Sequence, residues 1–290
     1  MEITKKAYAK INLGLDVLGK RDDGYHLVKM IMQNVDIFDT LTFRDTEDGS
    51  ITLSANDENI PVDDSNLICK VARQLKEAYG VTKGAQIELV KRIPVAAGMA
   101  GGSTDGAAAY KALNELWNLG LSDEELCKLA VKLGADIPYC IVGGTALSEG
   151  IGEVLTPIDS RADYHLVVAK PDIMVSTGWV YTELDSTEIS RHPDIDAVKR
   201  ALEEGDVQGM CDNIHNVLEP VTTAKYDVIK DIEKILEENG AVKAFMTGSG
   251  PTVFAVFDDE KKAGVGFDAV KKSGLAWQLF LTKPIDPGRV

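Results

Sequence analysis

The segment from Pro94 to Asp105 reads Pro-Val-Ala-Ala-Gly-Met-Ala-Gly-Gly-Ser-Thr-Asp and runs into an alanine-rich stretch ending near Trp117. Side chains this small build no core of their own, so the pattern predicts a loop that opens a helix. Gly98, Gly101 and Gly102 let a ligand approach the backbone, and the unsatisfied N–H groups of a helix start point at an anion. Ser103 and Thr104 add hydroxyls. Pro94, Val95, Ala96, Ala97, Met99 and Ala100 complete this candidate phosphate loop. It is not a Walker A loop, because no Gly-Lys-Ser/Thr closes it, and its glycine spacing does not fit GxGxxG. Asp105 suits the helix dipole but would repel a phosphate, so it must point away from the anion or sit beside a cation. A flexible surface loop with an N-capping serine is the other reading of the same residues.

The rest of the chain mixes strands and helices without strict βαβ alternation, which favours an α+β fold. Ala7 to Leu18 alternates, with Ile11, Leu13, Leu15 and Val17 on one face and Lys10, Asn12, Gly14 and Asp16 on the other. That pattern predicts a half-buried strand. A turn over residues 19–24 leads to a second apolar stretch, Leu27 to Val35. Strands are expected at 51–53, 87–90, 166–169, 242–245, 252–257 and 277–282. Helices are expected at 65–79, stopped by Gly80, and from Ser122, whose Glu125 completes a capping box, to Gly134. Two more are expected at 194–204 and 226–238. A weak boundary near Pro157–Asp163 divides the chain into 1–158 and 159–290.

Composition narrows the function. The chain has 290 residues, 44% of them hydrophobic, enough for a real core. Its formal net charge of −15 opposes binding to a nucleic-acid backbone, so no nucleic-acid partner is expected. An anionic ligand must then be held by local amides and a few cations. Cys69, Cys127, Cys140 and Cys211 form no CxxC pair, and the four histidines show no metal-ligand spacing. With no signal-like N-terminus and no apolar run of about 20 residues, a cytoplasmic protein with no membrane partner is expected.

Several smaller features bear on chemistry. Lys10 and Asn12 share one strand face, where an ammonium could stabilise developing charge, or simply be solvated. Gly24-Tyr25-His26 offers an aromatic face and a ring nitrogen. Asp136 sits among Ala135, Ile137 and Tyr139, where partial desolvation would make it a better base than a carboxylate in water; a turn-capping aspartate is the plain alternative. Gly248, Ser249 and Gly250 form either a simple hairpin turn or one that faces a substrate or phosphate.

Taken in order, Ala9-Lys10-Ile11-Asn12-Leu13, Gly24-Tyr25-His26, Pro94 to Asp105, Leu133-Gly134-Ala135-Asp136-Ile137-Pro138 and Thr247-Gly248-Ser249-Gly250 resemble the GHMP kinases. That superfamily is named for galactose, homoserine, mevalonate and phosphomevalonate. Lys-Ile-Asn followed by Gly-Tyr-His resembles, within it, the branch acting on diphosphocytidyl methylerythritol in the non-mevalonate isoprenoid pathway. The resemblance implies a two-domain fold, with a ribosomal-S5-like N-terminal domain and a ferredoxin-like C-terminal α/β sandwich. It implies ATP as co-substrate, with Mg2+ on its phosphates, and Lys10 with Asp136 as the catalytic pair. Asn12, Tyr25, His26 and Tyr181 are implied to bind the substrate, with Trp179 close enough to compete for the role of Tyr181. Residues 94–104 match the ATP loop, and Ser103, Thr104 and Asp105 are candidate metal donors. A monomer or homodimer is expected. Met99, Thr104 and Gly106 depart conservatively from the usual loop; Gly106 loosens the helix by about 1 kcal/mol relative to alanine.

Overall fold

Alternation of apolar side chains carries β1 from Glu2 to Lys20, longer at both ends than the pattern predicts. The computed structural model describes residues 1–288 of the chain. From Ala9 to Val17 both faces of β1 are buried: Ile11 and Leu13 are fully enclosed, and Lys10, Asn12 and Asp16 are no more than 6% exposed. The expected solvated face is therefore covered. Its polar groups are matched instead, with Lys10 N donating to Met99 O at 3.3 Å and Asn12 N to Thr247 Oγ1 at 3.0 Å. After the turn at Gly24 (φ 88°), β2 runs from His26 to Thr46.

Strands β3 (Ile51–Ala55), β4 (Gly84–Val90), β5 (Thr145–Glu149) and β6 (Val154–Pro157) complete a sheet ordered β3-β4-β2-β5-β6, with β1 also paired to β2. Register is set by Thr40↔Val90 between β2 and β4 and by Met30↔Ser148 between β2 and β5, both antiparallel. Strands β5 and β6 were hidden in the sequence by the glycines between 143 and 152.

By its contacts the chain divides into two compact units. The first comprises Met1–Ala9, Ile37–Val95 and Ala100–Val142. Its helices are α1 (Leu67–Tyr79), α2 (Gly101–Leu116), α3 (Asp123–Ala130) and α4 (Ile137–Val142). Helix α1 is capped by Asn66 Oδ1, so it starts two residues later than the expected 65, and Gly80 ends it in the left-handed conformation, as expected. The Ser122–Glu125 capping box forms, but α3 stops at Ala130, short of Gly134. Phe43, Ile87, Val71, Leu75, Tyr110, Leu113 and Ile137 are fully buried together. Burying each such side chain contributes about 1.5–3 kcal/mol.

The second unit comprises Lys10–Asp36, Ala96–Met99 and the chain from Gly143 onward. Strands β7 (His165–Lys170), β8 (Lys243–Met246), β9 (Val253–Phe257) and β10 (Gln278–Thr282) form an antiparallel sheet ordered β10-β7-β9-β8. Helices α9 (Val228–Glu238) and α10 (Glu260–Ser273) pack on it, an α/β sandwich. The shorter α5 (Thr177–Leu184), α6 (Ile195–Glu204), α7 (Val207–Asn213) and α8 (Glu219–Thr223) lie between β7 and α9 in the chain. The fold is α+β, as the strand and helix order predicts.

Candidate active site

The glycine loop delivers a helix start with bare amides. Ala100, in the left-handed region at φ 56°, is the N-cap residue of α2, and no side chain among the described residues caps that end. The first helical bond runs from Thr104 N to Ala100 O at 2.9 Å. The N–H groups of Gly101, Gly102 and Ser103 therefore precede any intrahelical acceptor, at the positive end of a long helix. Ser103 lies inside the first turn, so the N-capping-serine reading fails. Ala96 also has a positive φ of 51°, a conformation that costs an alanine roughly 1–2 kcal/mol. Pro94, Ala97 and Met99 are buried, while Val95 and Ala96 are exposed.

The glycines of the loop do different jobs. At Gly102 a Cβ would meet Leu67 Cδ1 at 3.8 Å, ordinary contact. At Gly101 it would lie 2.9 Å from Lys91 Nζ and 3.1 Å from Ile93. The bareness of Gly101 thus makes room for a lysine, not only for a phosphate. At Gly98 (φ 70°) a Cβ would stand 2.5 Å from Thr247 O, and at Gly248 (φ 57°) 3.0 Å from Gly98 O. Those two glycines seat one loop on the other. The Gly248-Ser249-Gly250 turn is both a hairpin connection between β8 and β9 and the bed of residues 96–99.

Lys10 projects into the same place. Its Nζ donates to Asn12 Oδ1 at 2.8 Å and to Gly98 O at 3.2 Å, and the residue is 4% exposed. Asn12 is also tied to Thr247, whose Oγ1 lies 3.4 Å from Asn12 Oδ1. Behind the turn, the buried Asn216 donates from Nδ2 to Met246 O at 2.9 Å and to Gly248 O at 2.8 Å. Ser249 Oγ pairs with Thr177 Oγ1 at 2.8 Å, and Thr222 Oγ1 donates to Ser249 O at 3.2 Å. Asn216, Thr177 and Thr222 were not found by sequence reasoning. Nothing local marks them, since each acts on residues distant in the chain.

A second cluster in the same unit gathers His26, Tyr181 and Asp185. His26 Nε2 lies 2.7 Å from Asp185 Oδ1, and the His26 and Tyr181 rings are 4.7 Å apart at 34°. Lys20 Nζ donates to Asp185 Oδ2. Hydrogen bonds from His26 and Lys20 hold the Asp185 carboxyl below its ordinary range. Trp179 is engaged elsewhere, edge-on to Tyr226 at 6.4 Å with Lys225 Nζ 4.4 Å from its ring. Tyr181, not Trp179, keeps company with His26. Tyr25 lies in the turn before β2 and is 56% exposed.

In the first unit, Asp136 heads α4, a helix that Pro138 concealed in the sequence. Its main-chain O accepts from Cys140 N at 3.1 Å. The residue is half-buried beside the fully buried Ile137 and Tyr139. Lys10 and Asp136 belong to different units.

Asp105 turns inward, is 4% exposed, and accepts from Lys91 Nζ at 2.8 Å through Oδ2, so the cation beside it is a lysine of the same unit. Thr104 Oγ1 donates to Tyr8 O at 2.8 Å. Thr104 Oγ1 and Asp105 Oδ2 are thus bonded within the first unit. Among the described residues no group of three or more His, Cys, Asp or Glu side chains could hold a metal ion.

An α+β fold and an uncapped helix start after a glycine loop define a class. A family model described as "GHMP kinases N terminal domain" matches residues 66–144, and "GHMP kinases C terminal" matches 194–275. The 4-diphosphocytidyl-2-C-methyl-D-erythritol kinase of Clostridium acetobutylicum is 49% identical over 281 residues, covering 97% of this chain and 99% of its own. That of Clostridium beijerinckii is 46% identical over 280 residues, with the same coverage. A crystal structure of 4-(cytidine 5'-diphospho)-2C-methyl-D-erythritol kinase aligns with a TM-score of 0.82 at 27% identity, covering 97% and 99% of the two chains. A homoserine kinase from Cytophaga hutchinsonii, at 18% identity and a TM-score of 0.78, shares the fold. The chain belongs to the GHMP kinases and, within them, to the 4-diphosphocytidyl-2-C-methyl-D-erythritol kinase family.

Proposed function

We propose that this chain transfers the γ-phosphoryl group of ATP to the 2-hydroxyl of 4-diphosphocytidyl-2-C-methyl-D-erythritol, giving the 2-phosphate and ADP. The observation that carries the reading is the buried Lys10 ammonium, held at Gly98 O and Asn12 Oδ1 beside the glycine loop. A lysine is kept out of water only where its charge has work or a partner. In the transfer, a bond forms between the substrate oxygen and the γ-phosphorus as the bond to the β,γ-bridging oxygen breaks. Asp136 takes the hydroxyl proton, and Lys10 stabilises the oxygen as it gains charge. Such a base contributes at least ~100-fold, and the remainder is positioning and electrostatics.

The amides of residues 101–103 hold the donor phosphates, and residues 94–104 form the loop around them. Mg2+ would be held by the phosphate oxygens of ATP, the hard ligands it prefers, and would neutralise part of their charge. Tyr25, His26, Tyr181 and Asn12 bind the substrate. The Gly248-Ser249-Gly250 turn supports Lys10 and Asn12 from behind. The division of the chain at residues 158 and 159 is proposed with it, supported by the family models that fall on either side; residues 289 and 290 lie outside the described residues. A cytoplasmic monomer or homodimer is proposed with it; no helix among the described residues is long and apolar enough to cross a membrane.

The competing reading is a GHMP kinase acting on another alcohol. ADP release measured with the diphosphocytidyl substrate, mevalonate, homoserine and cytidine diphosphate separates the two. ADP release above background with the diphosphocytidyl substrate alone is expected; turnover of mevalonate or homoserine at a comparable kcat/KM would overturn the assignment.

A further inference from the structure

The mechanism makes no use of the most deeply buried ionic cluster of the first unit. Asp39, on β2, has a fully buried side chain, and the side chains of Lys91 and Asp105 are each 6% exposed. Lys91 Nζ donates to Asp39 Oδ2 and, at 2.8 Å, to Asp105 Oδ2. Asp39 Oδ1 in turn accepts from the main-chain N–H groups of Arg92 and Ile93, the latter at 2.8 Å. Lys91 is the residue after β4 and enters the glycine loop; Asp105 leaves it. One ammonium therefore ties the entry and the exit of the segment 92–104, and its Nζ occupies the space that any side chain at Gly101 would need.

We propose that Asp39, Lys91 and Asp105 form a buried clasp that holds the first turn of α2 at the position where its amides meet the donor phosphates, with Lys91 as the positioning residue. This rests on the reading of residues 94–104 as the ATP loop. A plain folding role explains the cluster poorly. Two buried carboxylates share one ammonium, so the interior must either hold a proton on Asp105 or carry an excess negative charge, and Asp105 Oδ1 finds no hydrogen-bond partner among the described residues. Apolar residues of similar volume commonly serve stability better than such an arrangement. What the clasp supplies is geometry: a loop with two left-handed alanines is fixed before the nucleotide arrives, so less ordering is needed on binding.

Burial, with Asp39 alongside and Lys91 opposing, pushes the Asp105 carboxyl up to about 8. Burial would lower Lys91, but the two carboxylates outweigh it and hold the lysine above its ordinary range. The groups facing Asp105 are thus Lys91, from the end of β4, and Asp39, from β2. A proton on Asp105 removes the excess charge, and its loss on passing pH 8 restores it.

The test is Asp105→Leu against Asp105→Asn in the full chain, with KM for ATP, KM for the acceptor alcohol and thermal melting read together. Leu removes the tie at the loop exit yet leaves Lys91 neutralised by Asp39. The expected result is at least a tenfold rise in ATP KM, acceptor KM within twofold, and a melting temperature equal to or above that of the parent. Asn keeps a carbonyl for Lys91, and its ATP KM should rise less than threefold. A folded Leu variant with parental ATP KM would overturn the clasp, as would a lowered melting temperature with both KM values raised together. Should Leu fail to fold, Asp105→Ser is measured in its place: its ATP KM should rise at least tenfold with acceptor KM within twofold, and a folded Ser variant with parental ATP KM overturns the proposal. Gly102→Ala isolates the underlying loop reading: if it raises ATP KM and the clasp variants do not, the clasp alone is wrong.

Discussion

Gly102→Ala separates a phosphate cradle from an ordinary helix start because the two make opposite demands on residue 102. An added Cβ would meet Leu67 Cδ1 at 3.8 Å, so the fold accepts a methyl group without displacement. Position 102 is helical and exposed, and exchanging glycine for alanine there gains up to about 1 kcal/mol of helix propensity. For a chain of this length that raises the melting temperature by about 2 °C. On the proposed reading of residues 94–104 as the ATP loop, the methyl group nevertheless stands where a phosphate oxygen would approach the amides of the first turn. Losing one charge-assisted hydrogen bond costs about 1.5–3 kcal/mol, or roughly 10- to 150-fold in affinity. Calorimetric titration with ADP and ATP, run beside a thermal melt, should show a more stable protein that binds nucleotide at least tenfold more weakly. A variant that is stabilised and still binds nucleotide within twofold of the parent would refute the cradle.

Two further expectations concern the second unit. Asp185→Asn leaves Tyr181 in place but weakens the hold on His26 Nε2, so KM for the diphosphocytidyl substrate should rise severalfold with ATP KM unchanged; steady-state kinetics in both substrates decides it. Burial, with Glu219 and Glu237 nearby, pushes the Glu233 carboxyl up from 4.5 to about 9. The folded protein then holds a proton that the unfolded chain releases, so this group's contribution is full below about pH 4.5 and is lost as pH rises toward 9. Urea unfolding of the parent and of Glu233→Gln at pH 6 and pH 9 should show the variant losing less stability across that interval.

How far the sequence could be read depended on how local each signal was. Gly80 and the Ser122–Glu125 box act within one turn, and both form as read. The glycine loop was legible for the same reason. Helix α4 was missed because it is six residues long and carries Pro138. The buried polar face of β1 was misread because alternation says which side chains share a face, not what covers that face. For Lys10 and Asn12 the cover is the turn at Thr247 and Gly248, more than two hundred positions away. The clasp left a trace that sequence reasoning passed over. Ile37, Asp39, Leu41 and Phe43 fall on one face of β2, and all are buried. A carboxylate at an inward position of a strand demands a cation, and Lys91 is the one that answers.

Catalysis by Lys10 and Asp136 is the claim on which the account turns, and single-turnover kinetics of Asp136→Asn address it most directly. The amide keeps the shape of the carboxyl and cannot take a proton at neutral pH. Bound ATP should have unchanged affinity while phosphoryl transfer to the diphosphocytidyl alcohol slows by at least ~100-fold. Transfer at a near-parental rate from the fully ATP-loaded variant would show that the proton leaves by another route and that Asp136 is not the base.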